Sequence, residues 1–230
     1  MEHGFNWVGA IPGLGALPNH SVTATLVAAL VLAIAWMARQ QLAAASDPLV
    51  PSGRPNAREL FEVITSFVDD MSNGMMGRHG REFVPLLAAM FTFILFANLI
   101  GLLPGFTPPT DNFATTFGLG LVSFLAYNYF GFREHGIAYL KHFVGPVLWL
   151  APLMILVEGL SHVFRPISLA IRLFGNMFAD HLVLGIFTDL TKAVIPVAFY
   201  VLGAFVCVVQ AFVFTVLSTV YIASAVAHDH

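Results

Sequence analysis

The chain has 230 residues, of which 58% are hydrophobic and only 10% are charged, and its formal net charge is -3. Soluble globular chains carry about 25% charged residues, so this composition excludes a water-soluble surface and a disordered chain. The charge balance also excludes a nucleic-acid binder that depends on phosphate neutralisation. The single cysteine, Cys207, excludes a disulfide framework within the chain. We therefore predict an all-α integral membrane protein formed by a single membrane domain.

The apolar stretches predict the membrane spans in chain order. A helix needs about 20 apolar residues to cross the hydrocarbon core of a bilayer. Residues 1–20 are expected to form an outer N-terminal segment, which lacks the basic region of a cleaved signal peptide. The first span is predicted at residues 21–39, the second at 83–104 and the third at 112–132.

Residues 52–77 predict an interfacial helix between the first two spans. Acidic side chains alternate there with apolar side chains at a helical period, which is typical of a helix that lies in the membrane surface. Such a helix is either a solvated connection or a surface for a specific partner.

The last third of the chain predicts a long helical hairpin, formed by residues 144–187 and 191–227. We expect breaks at Arg165-Pro166 and around residues 189–192. The final apolar stretch would be about 50 Å long as one helix, because a helix rises 1.5 Å per residue. A helix of that length must tilt steeply or emerge from the bilayer.

The basic residues predict the orientation of the spans. Arginines are concentrated in the connection after the first span, whereas residues 104–112 carry none. The positive-inside rule therefore places the first connection in the cytoplasm and the N-terminus outside. Residues 144–187 leave the number of crossings ambiguous on this evidence alone.

Four ionisable residues lie deep in apolar sequence: Glu158, Arg172, Asp180 and His181. Each costs at least about 2.5 kcal/mol on insertion scales. An aqueous cavity or an ion path is the usual reason for tolerating that cost. The alternative is that these groups pair with one another and only lock the helices together.

Helical spacing leaves Arg172 without a local acidic partner. Asn176 lies on the same helix face, at about 40°, whereas Asp180 is about 80° away and His181 is on the opposite face. Arg172 must therefore meet another helix, another chain or water. Arginine is not deprotonated in proteins, so it is a fixed charge, whereas Glu158, Asp180 and His181 can take up and release protons. At about 4 Å and an effective dielectric of 20, such a charge attracts a carboxylate by about 4 kcal/mol.

Several short motifs now identify a family. Residues 166–169 read PISL, residues 172–177 read RLFGNM, and residues 210–214 read QAFVF, followed by Tyr221. Earlier in the chain, residues 98–104 read NLIGLLP and residues 108–112 read PPTDN. This set, in this order, resembles the signature of subunit a of the F-type ATP synthase membrane sector, over roughly residue 61 to the end.

The resemblance implies a fold and a set of partners. The fold has one outer helix, an interfacial helix and four membrane helices, of which the last two form a nearly horizontal hairpin around a ring of c subunits. The implied partners are the c ring, the peripheral-stalk b subunits, the rest of the ATP synthase complex and the lipid bilayer, with no nucleic acid. The N-terminus is then outside and the C-terminus in the cytoplasm. The absence of an Arg- and Ser-rich transit-type N-terminus favours a bacterial inner (plasma) membrane.

The resemblance also implies roles for individual residues. Arg172 would face the ring carboxylate and separate two offset half-channels that couple the proton gradient to ATP synthesis. The outer half-channel would contain His181, Asp180, Asn176 and Gln210, and the cytoplasmic one Glu158, Ser161 and Ser168. No nucleotide-binding motif occurs, so the chain is not expected to be an enzyme by itself, and we expect no cofactor or metal. Sodium coupling in place of proton coupling stays open.

One position departs from the family pattern. Many members carry histidine or glutamate seven residues before Gln210, where this chain has Gly203, and it has Asp180 where a small residue is common. We expect Asp180 to fill the space beside Gly203 and to take over the missing titratable role. The alternative is that Asp180 only orients His181.

Two other functions fit the sequence less well. A self-contained transporter using the same charges usually shows internal repeats, which this chain lacks. An intramembrane enzyme would need a nucleophile–base pair or a set of metal ligands, and His181 next to Asp180 is too little for either.

Two further residues have structural expectations. His162 is expected to hydrogen-bond Glu158 or to mark a hairpin end, and Arg165 is expected to cap or anchor a helix at the interface. We do not expect the tail of residues 228–230 to bind a metal.

Overall fold

A computed structural model describes residues 18–45, 55–103, 105–136, 139, 151–191 and 194–227. These residues form α-helices and short 3-10 turns, which confirms the predicted all-α membrane architecture. The helices are α1 (Asn19–Ala43), α2 (Ala57–Met76), α3 (Val84–Leu99), α4 (Phe113–His135), α5 (Ala151–Thr191) and α6 (Val194–Val226). The 3-10 turns are Gly77–Glu82, Ile100–Leu102 and Pro109–Asp111.

Four of the described helical stretches are long and apolar enough to cross a membrane. They are Asn19–Ala43, Val84–Leu102, Pro152–Thr188 and Pro196–Val226. The predicted third span corresponds to α4, which has 23 residues but is not among these four. Threonine, glycine, serine and tyrosine lower the hydropathy of α4, and its buried side carries at least one residue of each type, namely Thr116, Gly120, Ser123, Tyr127 and Gly131. Small residues in a membrane helix let a neighbouring backbone approach closely, so α4 is built for contact with protein.

The buried side of α4 contacts both helices of the C-terminal pair. The position of a Cβ on Gly120 would lie 2.6 Å from the carbonyl oxygen of Pro166 on α5, so only glycine fits there. Ser123 donates a hydrogen bond to Ser218 on α6 at 2.8 Å, with both side chains buried. These contacts fix the position of the C-terminal pair relative to α4.

The expected break at Arg165-Pro166 is wrong, because α5 is continuous through Pro166. Proline has no N–H, so the carbonyl of His162 one turn earlier loses its helical donor. The hydroxyl of Tyr127 on α4 lies 3.5 Å from that carbonyl oxygen and points a donor toward it. A neighbouring helix that supplies a donor to the freed carbonyl explains why proline is tolerated at this depth.

The two C-terminal helices form a hairpin. Helix α5 has 41 residues and α6 has 33, which corresponds to about 60 Å and about 50 Å at 1.5 Å per residue. The rings of Phe187 on α5 and Phe199 on α6 stack at 4.5 Å near the turn. Both helices exceed the roughly 30 Å thickness of a hydrocarbon core, so neither suits an upright span.

Helix α2 corresponds to the predicted interfacial helix. It follows Asn56 and ends at Gly77, whose φ of 62° is the left-handed conformation that glycine adopts readily. Ile64 and Val68 are buried against α3, whereas Val63 is exposed. Phe67 is also exposed, although its ring contacts Phe91 of α3 and Phe212 of α6.

Several predictions lie outside the described residues. They are the outer segment up to residue 17, the start of the interfacial helix at 52–54, the start of the hairpin at 144–150, the turn at 192–193 and the tail at 228–230.

Candidate functional site

Arg172 lies on an exposed face near the middle of α5. Within the part of the chain that the structure describes, its guanidinium has no hydrogen bond and no ion pair. Neighbouring α5 residues are large and apolar, such as Ile171, which is 55% exposed. A permanent charge in an apolar exposed face is costly in a bilayer unless a partner or water meets it. This confirms the prediction from helical spacing that α5 supplies no acidic partner for Arg172.

Small residues share the exposed face of Arg172. Ser161, Ser168 and Gly175 are all exposed and follow one another at seven-residue intervals. At 100° per residue, Ser161 and Ser168 lie within about 40° of Arg172 on the helix surface. A Cβ on Gly175 would meet no heavy atom within 4 Å. We call Ser161, Ser168, Arg172 and Gly175 the small-residue face. Such a face allows the backbone of another helix to approach closely.

Glu158 forms an ion pair with Arg165 two turns along α5. The Nη2 atom of Arg165 lies 3.6 Å from Oε1 of Glu158. The same guanidinium lies 5.7 Å from the ring centre of Tyr127 and 5.3 Å from that of Tyr221. Arg165, for which we predicted a cap or an anchor at the interface, joins α4, α5 and α6 around the Glu158 carboxylate.

His162 connects α5 to α4. Its Nε2 atom lies 2.9 Å from Oδ1 of Asn128, and its Nδ1 atom lies 3.3 Å from the hydroxyl of Tyr127. The amide of Asn128 donates to the carbonyl of Phe124 at 2.7 Å, so its Oδ1 is the acceptor that faces the histidine. This geometry assigns the proton of a neutral His162 to Nε2, so Nδ1 and the carbonyl oxygen of His162 share the single hydroxyl proton of Tyr127. These contacts attach His162 to α4.

Asp180 lies against the backbone of Gly203 on α6. The position of a Cβ on Gly203 would be 2.7 Å from Oδ2 of Asp180 and 3.1 Å from a side-chain carbon of Leu102. Gly203 is buried, whereas Asp180 is partly exposed. The carboxylate therefore occupies the space in which a side chain at position 203 would lie.

His181 contacts a carboxylate that the sequence analysis gave no role. Its Nδ1 atom lies 3.4 Å from Oδ2 of Asp111, and both side chains are about one-quarter exposed. The other carboxylate oxygen, Oδ1, is buried and has no hydrogen-bond partner among the described residues. An acid beside an imidazole can exchange a proton with it, so the pair is suited to proton relay.

The turn that carries Asp111 is held by two contacts with the end of the second span. Thr110 donates a buried hydrogen bond of 2.8 Å to Oδ1 of Asn98. A Cβ on Gly101 would lie 2.7 Å from the ring of Pro108, so glycine is required for this approach. The motifs at residues 98–104 and 108–112 thus position Asp111 beside α5. The only sequence signal for Asp111 was its place in the second of these motifs.

The remaining predicted residues are Asn176, which lies on α5, and Gln210, which lies on α6. Asn176 and Gln210 are partly exposed, and neither has a hydrogen-bond partner among the residues that the structure describes. Glu158 and His181 are separated by about 34 Å along α5, at 1.5 Å per residue, and Arg172 lies between them. The structure therefore brings His181 together with Asp111, and Asp180 with Gly203, but it keeps Glu158 far from both. No cluster of three or more metal-binding side chains occurs among the described residues.

Comparison with known proteins points to one family throughout. Residues 21–223 match the family model described as ATP synthase A chain. The chain is 46% identical to ATP synthase subunit a of Bdellovibrio bacteriovorus over 98% of its own length and 99% of the relative's. It is 45% identical to the protein of that name from Trichlorobacter lovleyi, over 79% and 77% of the two chains. The Geobacter sp. M21 protein is 43% identical, over 89% and 85%. The chain therefore belongs to the ATP synthase A chain family.

Proposed function

We propose that this chain is the proton-conducting stator subunit a of an F-type ATP synthase in a bacterial inner membrane. The observation that carries the proposal is Arg172, a permanent charge with no partner among the described residues, on an exposed face in the middle of a membrane helix. Such a charge needs a carboxylate from outside the chain. The carboxylates of a ring of c subunits supply it.

The small-residue face gives the rotating ring access to Arg172. Ser168 and Gly175 lie one turn to either side of the arginine and leave room for a helix backbone. A passing carboxylate that comes within about 4 Å of the guanidinium is stabilised in its charged form by about 4 kcal/mol. Arg172 therefore forces each arriving ring carboxylate to release its proton.

The proton enters through the outer half-channel. Asp111 lies in the connection between the second and third spans, which carries no basic residue and is outside under the positive-inside rule. The proton passes from the Asp111–His181 pair to Asp180 and along Asn176 and Gln210 to a ring carboxylate. The neutralised carboxylate then enters the lipid and rides nearly a full turn with the ring.

The proton leaves through the cytoplasmic half-channel. Ser161, Ser168 and Glu158 lie on the side of Arg172 that is opposite to His181 along α5. The two half-channels therefore meet only at Arg172, whose fixed charge prevents a proton from crossing directly. The membrane potential supplies about 2.3 kcal/mol per elementary charge per 100 mV. The chain binds no nucleotide in this account, so other subunits of the complex synthesise ATP.

ATP-driven acidification of inverted membrane vesicles tests the proposal. Arg172→Ala should abolish acidification while the c ring still co-purifies with the chain. Arg133→Ala is the matched control, since Arg133 forms an ion pair with Glu82 and lies away from the small-residue face. Unchanged acidification by Arg172→Ala, or the absence of a ring from both preparations, would overturn the proposal.

A further inference from the structure

A groove lies where the end of α1, one side of α2 and the start of α3 meet. Its volume is about 760 Å³, within the range of small-molecule and cofactor sites. Six of its thirteen lining residues are apolar, and Thr65 and Ser66 add two hydroxyl groups; the apolar residues are Ala35, Ala38, Leu42, Phe61, Val84 and Pro85. None of the proposed ion-path residues lines the groove.

Charged side chains surround the groove, and one arginine among them has no ion pair within the described part of the chain. Glu62 forms an ion pair with Arg58 at 2.5 Å, and Asp69 with Arg81 at 3.8 Å. Arg39 also lines the groove and has no ion pair or hydrogen bond among the described residues. Among the lining side chains that the structure describes, three arginines therefore face two carboxylates, which leaves one positive charge unbalanced.

The groove is placed at the level of a membrane surface. Five of the eight arginines lie at the end of α1 or in the connection that follows it, so this end of α1 faces the cytoplasm under the positive-inside rule. Trp36, three residues before Arg39, is 63% exposed. Exposed tryptophan at the end of a span is typical of the headgroup region.

We infer that this groove binds one anionic phospholipid of the cytoplasmic leaflet. Its phosphodiester lies against Arg39, and one acyl chain lies along Ala35 and Ala38 toward the bilayer. The single unbalanced charge matches the single charge of a phosphodiester, and the apolar lining matches the chain. A zwitterionic lipid has the same phosphodiester but would add a second positive charge beside Arg39, and a free anion would leave the apolar lining exposed to water.

A photoactivatable phosphatidylglycerol tests this inference on the intact complex in detergent. Saturable labelling is expected on the peptides that contain residues 35–42 and 81–85. Arg39→Ser should raise the half-saturating lipid concentration about fivefold, since one basic residue near anionic lipid contributes a factor of this size. Ala38→Phe should also reduce labelling, because its ring fills the apolar part of the groove. Arg133→Ser is the matched control and should leave labelling unchanged.

Three results would overturn the inference. One is the same half-saturation for Arg39→Ser and the unmodified chain. Another is equal competition by glycerol phosphate, which would show an anion site without a lipid. The third is attachment of a photocrosslinker at Leu42 to another protein subunit, because the groove would then be covered by a protein helix. None of these readouts depends on proton pumping, so they leave the proposed function unaffected.

Discussion

Oδ2 of Asp111 lies 3.4 Å from Nδ1 of His181, although the two residues are 70 positions apart in the sequence. The pair joins the turn before α4 to the C-terminal half of α5. It therefore links the connection between the second and third spans to the part of α5 that carries Asn176 and Asp180.

We expect Asp111→Asn to lower ATP-driven acidification by at least about tenfold, because positioned proton-transfer groups commonly contribute more than this. Asparagine keeps the shape but cannot accept the proton. Asp111→Glu should retain part of the activity. Asp70→Asn, at an exposed position on α2, is the control; an equal loss in both variants would show a general effect on assembly.

The contact between Asp180 and Gly203 predicts a rescue. Gly203→His alone should reduce pumping, since its Cβ would lie 2.7 Å from Oδ2 of Asp180. Asp180→Gly alone should also reduce it, through loss of the titratable group. The double variant should recover activity, because the titratable group moves from one helix to the other. Failure of the rescue in complexes that retain the ring would favour the alternative in which Asp180 only orients His181.

The small-residue face predicts a steric effect. Ser168→Trp should prevent close approach of the ring and abolish pumping. Val163→Trp is the matched control, since Val163 is also exposed but lies about 140° around α5 from Ser168. Equal activity of both variants, measured in vesicles with equal amounts of complex, would mean that the ring does not contact this face.

The hydroxyl of Tyr127 predicts an effect on stability. Tyr127 is 1% exposed, and its hydroxyl lies close to the ring and the carbonyl of His162. Tyr127→Phe should destabilise the packing of α4 on α5 by about 1 kcal/mol, because it removes the hydrogen-bond donor of the partly buried His162 carbonyl. The midpoint of thermal release of this chain from the purified complex measures the effect. Tyr129→Phe, at a residue that is 62% exposed, should leave that midpoint unchanged.

The sequence alone predicted much of the fold, and it also indicated Arg172, whose role stays a prediction. Long apolar runs predicted the spans, since a bilayer requires about 20 apolar residues in a helix. Arg172 was identified because a charge in such a run is costly and no acidic residue lies one turn away. These are local properties of the chain, which a sequence displays directly.

The features that the sequence did not predict depend on contacts between segments that are distant along the chain. Asp111 lies in a connecting turn, and nothing in its neighbourhood indicates that Thr110 and Asn98 hold it beside His181. The continuity of α5 through Pro166 was missed for a similar reason. The carbonyl freed by proline is met by Tyr127, a residue of another helix.

Passive proton entry into vesicles, driven by an imposed potential, tests the central claim most directly. The measurement compares assembled complexes that carry either the unmodified chain or Arg172→Ala. If Arg172 separates two half-channels, the variant should admit protons faster than the unmodified complex although its ATP-driven pumping is lost. Passive entry that is no faster in the variant would contradict the account, because Arg172 would then not be the barrier between the two channels.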